Sequence, residues 1–195
     1  SGNLLKETDV LSPSNPYASS KASMDLIMQE RMTNKKIKGF ITRAFSHTGI
    51  RRGKNFSISA DAYQIAKCMK TQEDEQFINQ KSIEVGNLDT TRVVIDVKDV
   101  VRAYYLLMEH PDSNGKVFNV CGDTPRKMQF FTDYLIGLSK MDIKKVVSNK
   151  YYRDIDIFYQ HGDTTALKEL TGWQPEIPIE QTLKDLLNYW VKKIN

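Results

Sequence analysis

Between Arg92 and Gly122 the sequence reads "RVVIDVKDVVRAYYLLMEHPDSNGKVFNVCG". The apolar "RVVIDV" is a short extended segment that runs into a strongly amphipathic helix, "VKDVVRAYYLLMEH", stopped before Pro111. "KVFNVCG" follows as a buried strand closed by Gly122. Extended and helical periods alternate in the same way along the rest of the chain, so the expectation is an α/β fold containing parallel strand pairing.

Upstream, Pro13 and Pro16 punctuate a loop that opens a helix carrying Tyr17 and Lys21, with Ala22, Met24, Ile27, Met28 and Met32 at helical spacing through Ser20 to Met32. "KIKGFITRAF" reads as a strand that delivers Ser46 and His47 to a loop at its carboxyl end. "SADAYQIAKCM" is helical and "KSIEVG" extended. Beyond Gly122, a helix is expected around Met128 to Leu138, then a strand at "KKVVS" and a short helix at "TTALKEL" stopped by Thr171 and Gly172. A final helix runs from about Pro178 to Lys193, where Leu183, Leu186, Leu187 and Trp190 form an apolar face. Trp173, Pro175 and Pro178 make a rigid turn ahead of it, and packing is the role expected of this whole terminal stretch.

Charge and cysteine usage narrow the function. The net charge of +4 is spread along 195 residues with no block of like charge, which argues weakly for an anionic small molecule and against nucleic acid. Cys68 and Cys121 lie far apart, outside any Cys-x-x-Cys pair or cluster with the three histidines, so neither a zinc site nor a disulfide framework is expected. No charged-then-apolar segment opens the sequence and no apolar run approaches the roughly 18 residues of a membrane span. A soluble, reducing, cytoplasmic setting is the expectation, with no membrane partner.

On a helix, Tyr17 and Lys21 share one face, and an ammonium near a phenol favours the phenolate, lowering its pKa from about 10. Such a tyrosine can pass a proton at neutral pH. "RRGKNF" offers two guanidiniums and a lysine beside a glycine, a composition that suits phosphate and equally suits a solvated loop. Arg92 precedes an apolar strand, where an unpaired cation is costly, and a bound phosphate would account for it.

Read in order, "NPYASSK", "TRAFSHTGIRRGKNF", "VGNLDTTRVVIDVKDVVRAYYLLME", "KVFNVCG" and "LKELTGWQPEIPIEQTLKDLLNYW" resemble the extended short-chain dehydrogenase/reductase (NAD-dependent epimerase/dehydratase) family. The likeness is greatest to its GDP-mannose 4,6-dehydratases and GDP-4-keto-6-deoxymannose reductases. It implies the remainder of a Rossmann-like parallel sheet, residues 1–50 and about 87–110, plus a smaller α/β nucleotide-sugar-binding domain, about 51–86 and 111–195. It also implies NADP or NAD as cofactor, a GDP-linked nucleotide sugar as substrate, and a homo-oligomer.

By the same resemblance Tyr17 is the acid/base and Lys21 binds the nicotinamide ribose, while hydride passes between the sugar C4 and the nicotinamide. A reductase stops there. A dehydratase goes on to eliminate water across C5 and C6 and returns the hydride to C6, and a related nucleotide-sugar epimerase is a further alternative that the resemblance leaves open. Phe45 and His47 fall at cofactor positions, although loop backbone alone could also satisfy His47. Arg51 or Arg52 would meet NADP or a neighbouring chain. Ser46, Asn55, Asn87, Arg92, Arg153 and Asp156 fall at substrate positions, with Asn87 near the guanine, Arg92 and Arg153 on the diphosphate and Asp156 on a ribose hydroxyl.

The chain departs from the family pattern in places. Ser46 stands where the family usually has Asn, losing one amide donor, and "YYRDID" lacks the proline of the family's "RPxD/E" element. None of the ten glycines forms the phosphate-binding Gly-x-x-Gly-x-x-Gly turn. If Gly2 is the glycine after the family's catalytic Ser/Thr and Glu, those residues lie upstream of Ser1. The expectation is therefore a carboxyl-terminal part that binds NAD(P) poorly and turns over little by itself. A non-catalytic nucleotide-sugar-binding module is the alternative from a different class.

Overall fold

A computed structural model describes residues 4–71, 81–151 and 157–194. Helix α1 (Pro16–Thr33) is opened by Asn15, whose side chain accepts from Ala18 N at 2.8 Å, and by Pro16 at its first position, where a missing N–H costs nothing. Strands β1 (Ile41–Ala44) and β2 (His47–Thr48) follow, then α2 (Ser57–Lys70), β3 (Lys81–Val85), β4 (Thr91–Arg92) and β5 (Ile95–Asp96). Asp96 caps α3 (Val97–Glu109) by accepting from Lys98 N at 2.7 Å, and Pro111 lies just past its end. The remaining elements are β6 (Val117–Val120), β7 (Arg126–Lys127), α4 (Met128–Ser139), β8 (Ile143–Val147), β9 (Tyr159–Gln160), α5 (Thr165–Thr171) and α6 (Ile179–Lys193). Gly172 ends α5 with φ 68°, the left-handed cap that glycine adopts without strain.

The α/β expectation holds, and much of the pairing is parallel. β1 pairs with β6, β2 with β5 and β3 with β8, all parallel, while β4 lies between antiparallel β7 and parallel β9. Two apolar clusters form around these pairs. One is built by Val100, Ala103 and Leu107 of α3 with Phe118, Val120, Leu167 and Trp173. The other gathers Ile58, Ile65, Ile83, Val85, Phe131, Leu135, Leu183, Leu186, Leu187 and Trp190. In α3 and α6 the buried positions recur at helical spacing, in keeping with the amphipathic pattern of the sequence.

Hydrogen bonds between α3 and the segment that starts α6 join the two clusters. Thr182 Oγ1 donates to Asp96 Oδ2 at 2.8 Å, buried. The Asp99 carboxylate accepts from Glu176 N at 3.1 Å and Ile177 N at 3.0 Å, and Trp173 Nε1 donates to the Asp99 carbonyl at 3.0 Å. The Trp173 turn is thus packing, as expected, and a buried acid holds it in place.

One local expectation needs correction. His47 belongs to a strand, not to a loop, because β2 pairs with β5 soon after β1 ends. The apolar residues of α1 do not make a core stripe: Met32 is buried, while Met24, Leu26, Ile27 and Met28 are exposed. The helix is held to β1 by charge instead. Arg43 Nε and Nη2 meet Asp25 Oδ2 and Oδ1 at 2.8 and 3.1 Å, and Arg43 Nη1 donates to Glu7 O at 2.8 Å.

Candidate active site

The site starts at the first turn of α1. Tyr17 is 72% exposed, and Lys21 Nζ stands 5.9 Å from its ring centroid, so the i, i+4 spacing brings ammonium and phenol together. A second cation, Arg52, lies within electrostatic range of the same tyrosine. Burial pulls the Arg52 guanidinium down from its ordinary value and the charge of Tyr17 opposes that pull; the arginine stays protonated regardless. Arg52 Cζ lies 3.5 Å from the Phe56 ring centroid, a stacking contact that fixes the guanidinium plane.

The loop bearing Arg52 is tied into the core. Ser59 Oγ donates to Arg52 O at 2.7 Å and itself accepts from Trp190 Nε1 at 3.0 Å. Arg51, exposed, takes φ 69°, a left-handed turn position unusual for a side chain of that size. Asn55 is exposed beside Gly53, where an added Cβ would sit 2.6 Å from the Asn55 amide oxygen.

At the carboxyl end of β1 the backbone is largely engaged. Phe45 N donates to Val120 O at 2.9 Å, and Ser46 O accepts from Ile95 N at 3.2 Å. His47 Nδ1 donates to Phe45 O at 2.9 Å. The Phe45 ring packs on Gly162 so closely that a Cβ there would fall 2.4 Å from a ring carbon. Farther along, Asn87 Oδ1 accepts from Asp89 N at 3.0 Å. Arg92 is half-buried in β4 and donates from Nη1 to Thr91 O at 2.9 Å, so the strand does not leave its cation unpaired. Arg153 and Asp156 lie outside the described residues.

Two cavities, of about 290 and 380 Å³, are lined chiefly by Val93–Ile95 with Pro175–Glu180 and by the α3 start with α6. Neither is lined by Tyr17, Lys21 or the β1 residues. Arg52 beside Tyr17, and its anchoring through Ser59 and Trp190, escape sequence reasoning because they depend on how α1 meets the loop before α2. No group of His, Cys, Asp and Glu suited to a metal occurs among the described residues, and none of the described helices is long and apolar enough to cross a membrane.

The chain is similar to several known proteins. GDP-6-deoxy-D-mannose reductase of Pseudomonas aeruginosa is 29% identical over 182 residues, 93% of this chain and 58% of that protein. Human GDP-mannose 4,6 dehydratase is 22% identical over 94% of this chain and 52% of its own length. Among solved structures, RMD from Pseudomonas aeruginosa complexed with NADPH matches with a TM-score of 0.86 and 28% identity, over 97% of this chain and 61% of that one. UDP-glucose 4-epimerase from Thermotoga maritima, solved with UDP-glucose, matches over all of this chain and 60% of its own with a TM-score of 0.82, a likeness of fold at 22% identity. The chain thus spans a little over half the length of the curated relatives it matches. Residues 2–186 match the profile of one family along almost the whole chain, and the protein belongs to that family, GDP-mannose 4,6 dehydratase.

Proposed function

We propose that this chain forms the proton-handling and sugar-binding part of an NAD(P)-dependent enzyme that modifies a GDP-mannose-type nucleotide sugar. The observation that carries the reading is the exposed Tyr17 with the Lys21 ammonium beside its ring, at a helix start inside a family match running from residue 2 to residue 186. The nicotinamide cofactor, when bound, supplies or accepts the hydride at the sugar C4. Tyr17 moves the proton at the C4 oxygen, with the Lys21 ammonium held beside its ring. In this reading residues 1–50 and about 87–110, with β1 and α3, belong to the cofactor-binding domain, and about 51–86 and 111–195, with α2, β3, α4, β8 and α6, to the nucleotide-sugar domain. Asn87 and Arg92 then face the nucleotide, with Ser46 and Asn55 toward the sugar.

Of the two reactions, the leading one is 4,6-dehydration through C4 oxidation; reduction of the 4-keto sugar is the alternative, favoured by the 29% identity to the Pseudomonas reductase. Calorimetry with GDP and GDP-mannose and a nicotinamide-absorbance assay with both sugars test the proposal. Nucleotide binding with turnover reduced at least about a hundredfold in Tyr17→Phe supports it, whereas near-normal turnover in that variant removes Tyr17 from the mechanism. The second reading, a binding module without catalysis, is motivated by Ser46 and by the absence of a glycine-rich phosphate turn among residues 1–195; binding with no turnover even after the upstream half is restored would favour it.

A further inference from the structure

The cavity of about 380 Å³ between the start of α3 and α6 is separate from the candidate active site: Tyr17, Lys21 and Arg52 do not line it. Its volume falls within the roughly 300–1,000 Å³ of small-molecule sites. Ile50 and Val97 line it with aliphatic surface, and α6 contributes Asn188, Tyr189 and Lys192. The Ile50 turn is packed onto α3, since a Cβ added at Gly49 would fall 2.8 Å from Val97 Cγ1.

The charges that line this cavity are unequally committed. Asp96 has both oxygens engaged, Oδ1 by Lys98 N at 2.7 Å and Oδ2 by the Thr182 hydroxyl at 2.8 Å, and Asp185 Oδ1 accepts from Gln181 Nε2 at 2.8 Å. The two cations, Lys98 of α3 and Lys192 in the last turn of α6, are exposed and make no side-chain hydrogen bond, ion pair or ring contact with the described residues. The Tyr189 hydroxyl accepts from Lys193 Nζ at 2.9 Å, which leaves the phenol hydrogen free to donate. Thr48 adds a buried group. It is the register partner of Asp96, and level partners project from the same face, here the one that Asp96 turns to Thr182 of α6. Its hydroxyl is the one buried side-chain polar atom without a hydrogen-bond partner among the described residues, a condition that calls for a polar neighbour.

From this arrangement we infer that the cavity binds a small organic dianion, with one acidic group on Lys98, the other on Lys192 and a short carbon body against Ile50 and Val97. An ammonium meets an anion as a point charge, so a lysine by itself does not choose among acids. Two lysines from different elements with aliphatic surface beside them select a molecule that is charged at both ends. Orthophosphate has no carbon body to fill the cavity, and a monocarboxylate leaves one lysine unused. The Asn188 amide and the Tyr189 hydroxyl serve the acidic group on the α6 side.

Calorimetry of the chain with succinate, glutarate and adipate, set against propionate and orthophosphate at low salt, tests the site. One of the three dicarboxylates should bind at least about fivefold tighter than propionate and orthophosphate, the upper range for one further ion pair open to solvent. Lys98→Gln and Lys192→Gln should each weaken that dicarboxylate about fivefold and leave propionate less affected. Asp185→Asn should tighten it by removing a like charge from the cavity wall. Lys184→Gln, which removes an exposed charge of α6 outside the lining, and Tyr17→Phe should both leave it as in the wild type. Equal losses in Lys184→Gln and Lys192→Gln would mean general attraction to a basic surface and would overturn the site. A wild type that binds no dicarboxylate, or binds it no tighter than propionate, would do the same. Loss in Tyr17→Phe would move the ligand to the candidate active site and also overturn the inference, whereas unchanged binding there keeps it independent of the proposed enzyme reaction.

Discussion

Helices α1 and α6 are of similar length and are held in place by opposite means. α6 buries Leu183, Leu186, Leu187 and Trp190 at i, i+3, i+4 and i+7, and its position follows from apolar area removed from water. α1 buries Met32 alone, leaves Ile27 58% exposed, and is fixed to β1 by the two-pronged Arg43–Asp25 pair. Apolar packing is non-directional and tolerates small shifts, whereas a forked ion pair sets an orientation. The helix whose first two turns carry Tyr17 and Lys21 is the one held by the directional contact, and the helix that supports the Arg52 loop through Trp190 and Ser59 is the packed one.

Substitutions can break this contrast in order of size. Leu186→Ala should cost about 4 kcal/mol in urea unfolding, since it opens a hole in a fully buried position; a cost below about 1 kcal/mol would mean that α6 is not the scaffold. Asp25→Ala should cost about 3 kcal/mol by stranding the Arg43 guanidinium, whose side chain is 18% exposed. Hydrogen exchange should show the loss concentrated in α1, and uniform loosening would contradict its separate attachment.

Acid should act on the two regions with opposite sign. Burial pushes the Asp25 carboxyl up, but the hydrogen bonds from Arg43 and Gln29 and the charge of Arg43 together bring it below its ordinary value. Its contribution is present above the unfolded value near pH 4 and is lost as the pH falls through the folded one. Asp61 of α2 accepts from the Thr132 hydroxyl at 2.7 Å, and its burial pushes the carboxyl up to about 6. Stability from its protonated form is full below about pH 4 and lost as the pH rises through about 6. Asp61→Asn should therefore stabilise the α2–α4 packing by about 2–3 kcal/mol at pH 7 and by little at pH 4, measured as a difference in melting temperature at the two pH values. No difference between those pH values would show that Asp61 is ionised without penalty.

The smallest expected effect sharpens the contrast from the other side. Ile27→Ser should stay within about 0.5 kcal/mol, as for an exposed position. A loss above about 1 kcal/mol that grows with protein concentration would show that a second copy covers this face of α1.

The parts of the fold legible in the sequence are those where burial imposes a period. Val100, Ala103 and Leu107 in α3, the Leu and Trp face of α6, and the buried run of β6 all follow from spacing alone. α1 shows the limit of that reasoning: Met24, Ile27 and Met28 have helical spacing, and the helix forms, but the face they make is not a core. Strands of two residues carry no period, so the sequence presents β2 as a loop and gives no sign of β7. The candidate site divides in the same way. Tyr17 and Lys21 are local and legible as a pair, whereas the position of Arg52 depends on how the loop before α2 is anchored through Ser59 and Trp190, which no window of sequence contains.

The protein has two tryptophans, Trp173 and Trp190, one in each apolar cluster, both buried and both donating an indole N–H to the protein interior. Each is thus an optical reporter for its own half of the molecule. Fluorescence from Trp173→Phe and Trp190→Phe proteins, followed through one denaturation, would record whether the Asp96–Thr182 and Asp99 hydrogen bonds make the halves melt together or let the site-bearing half go first.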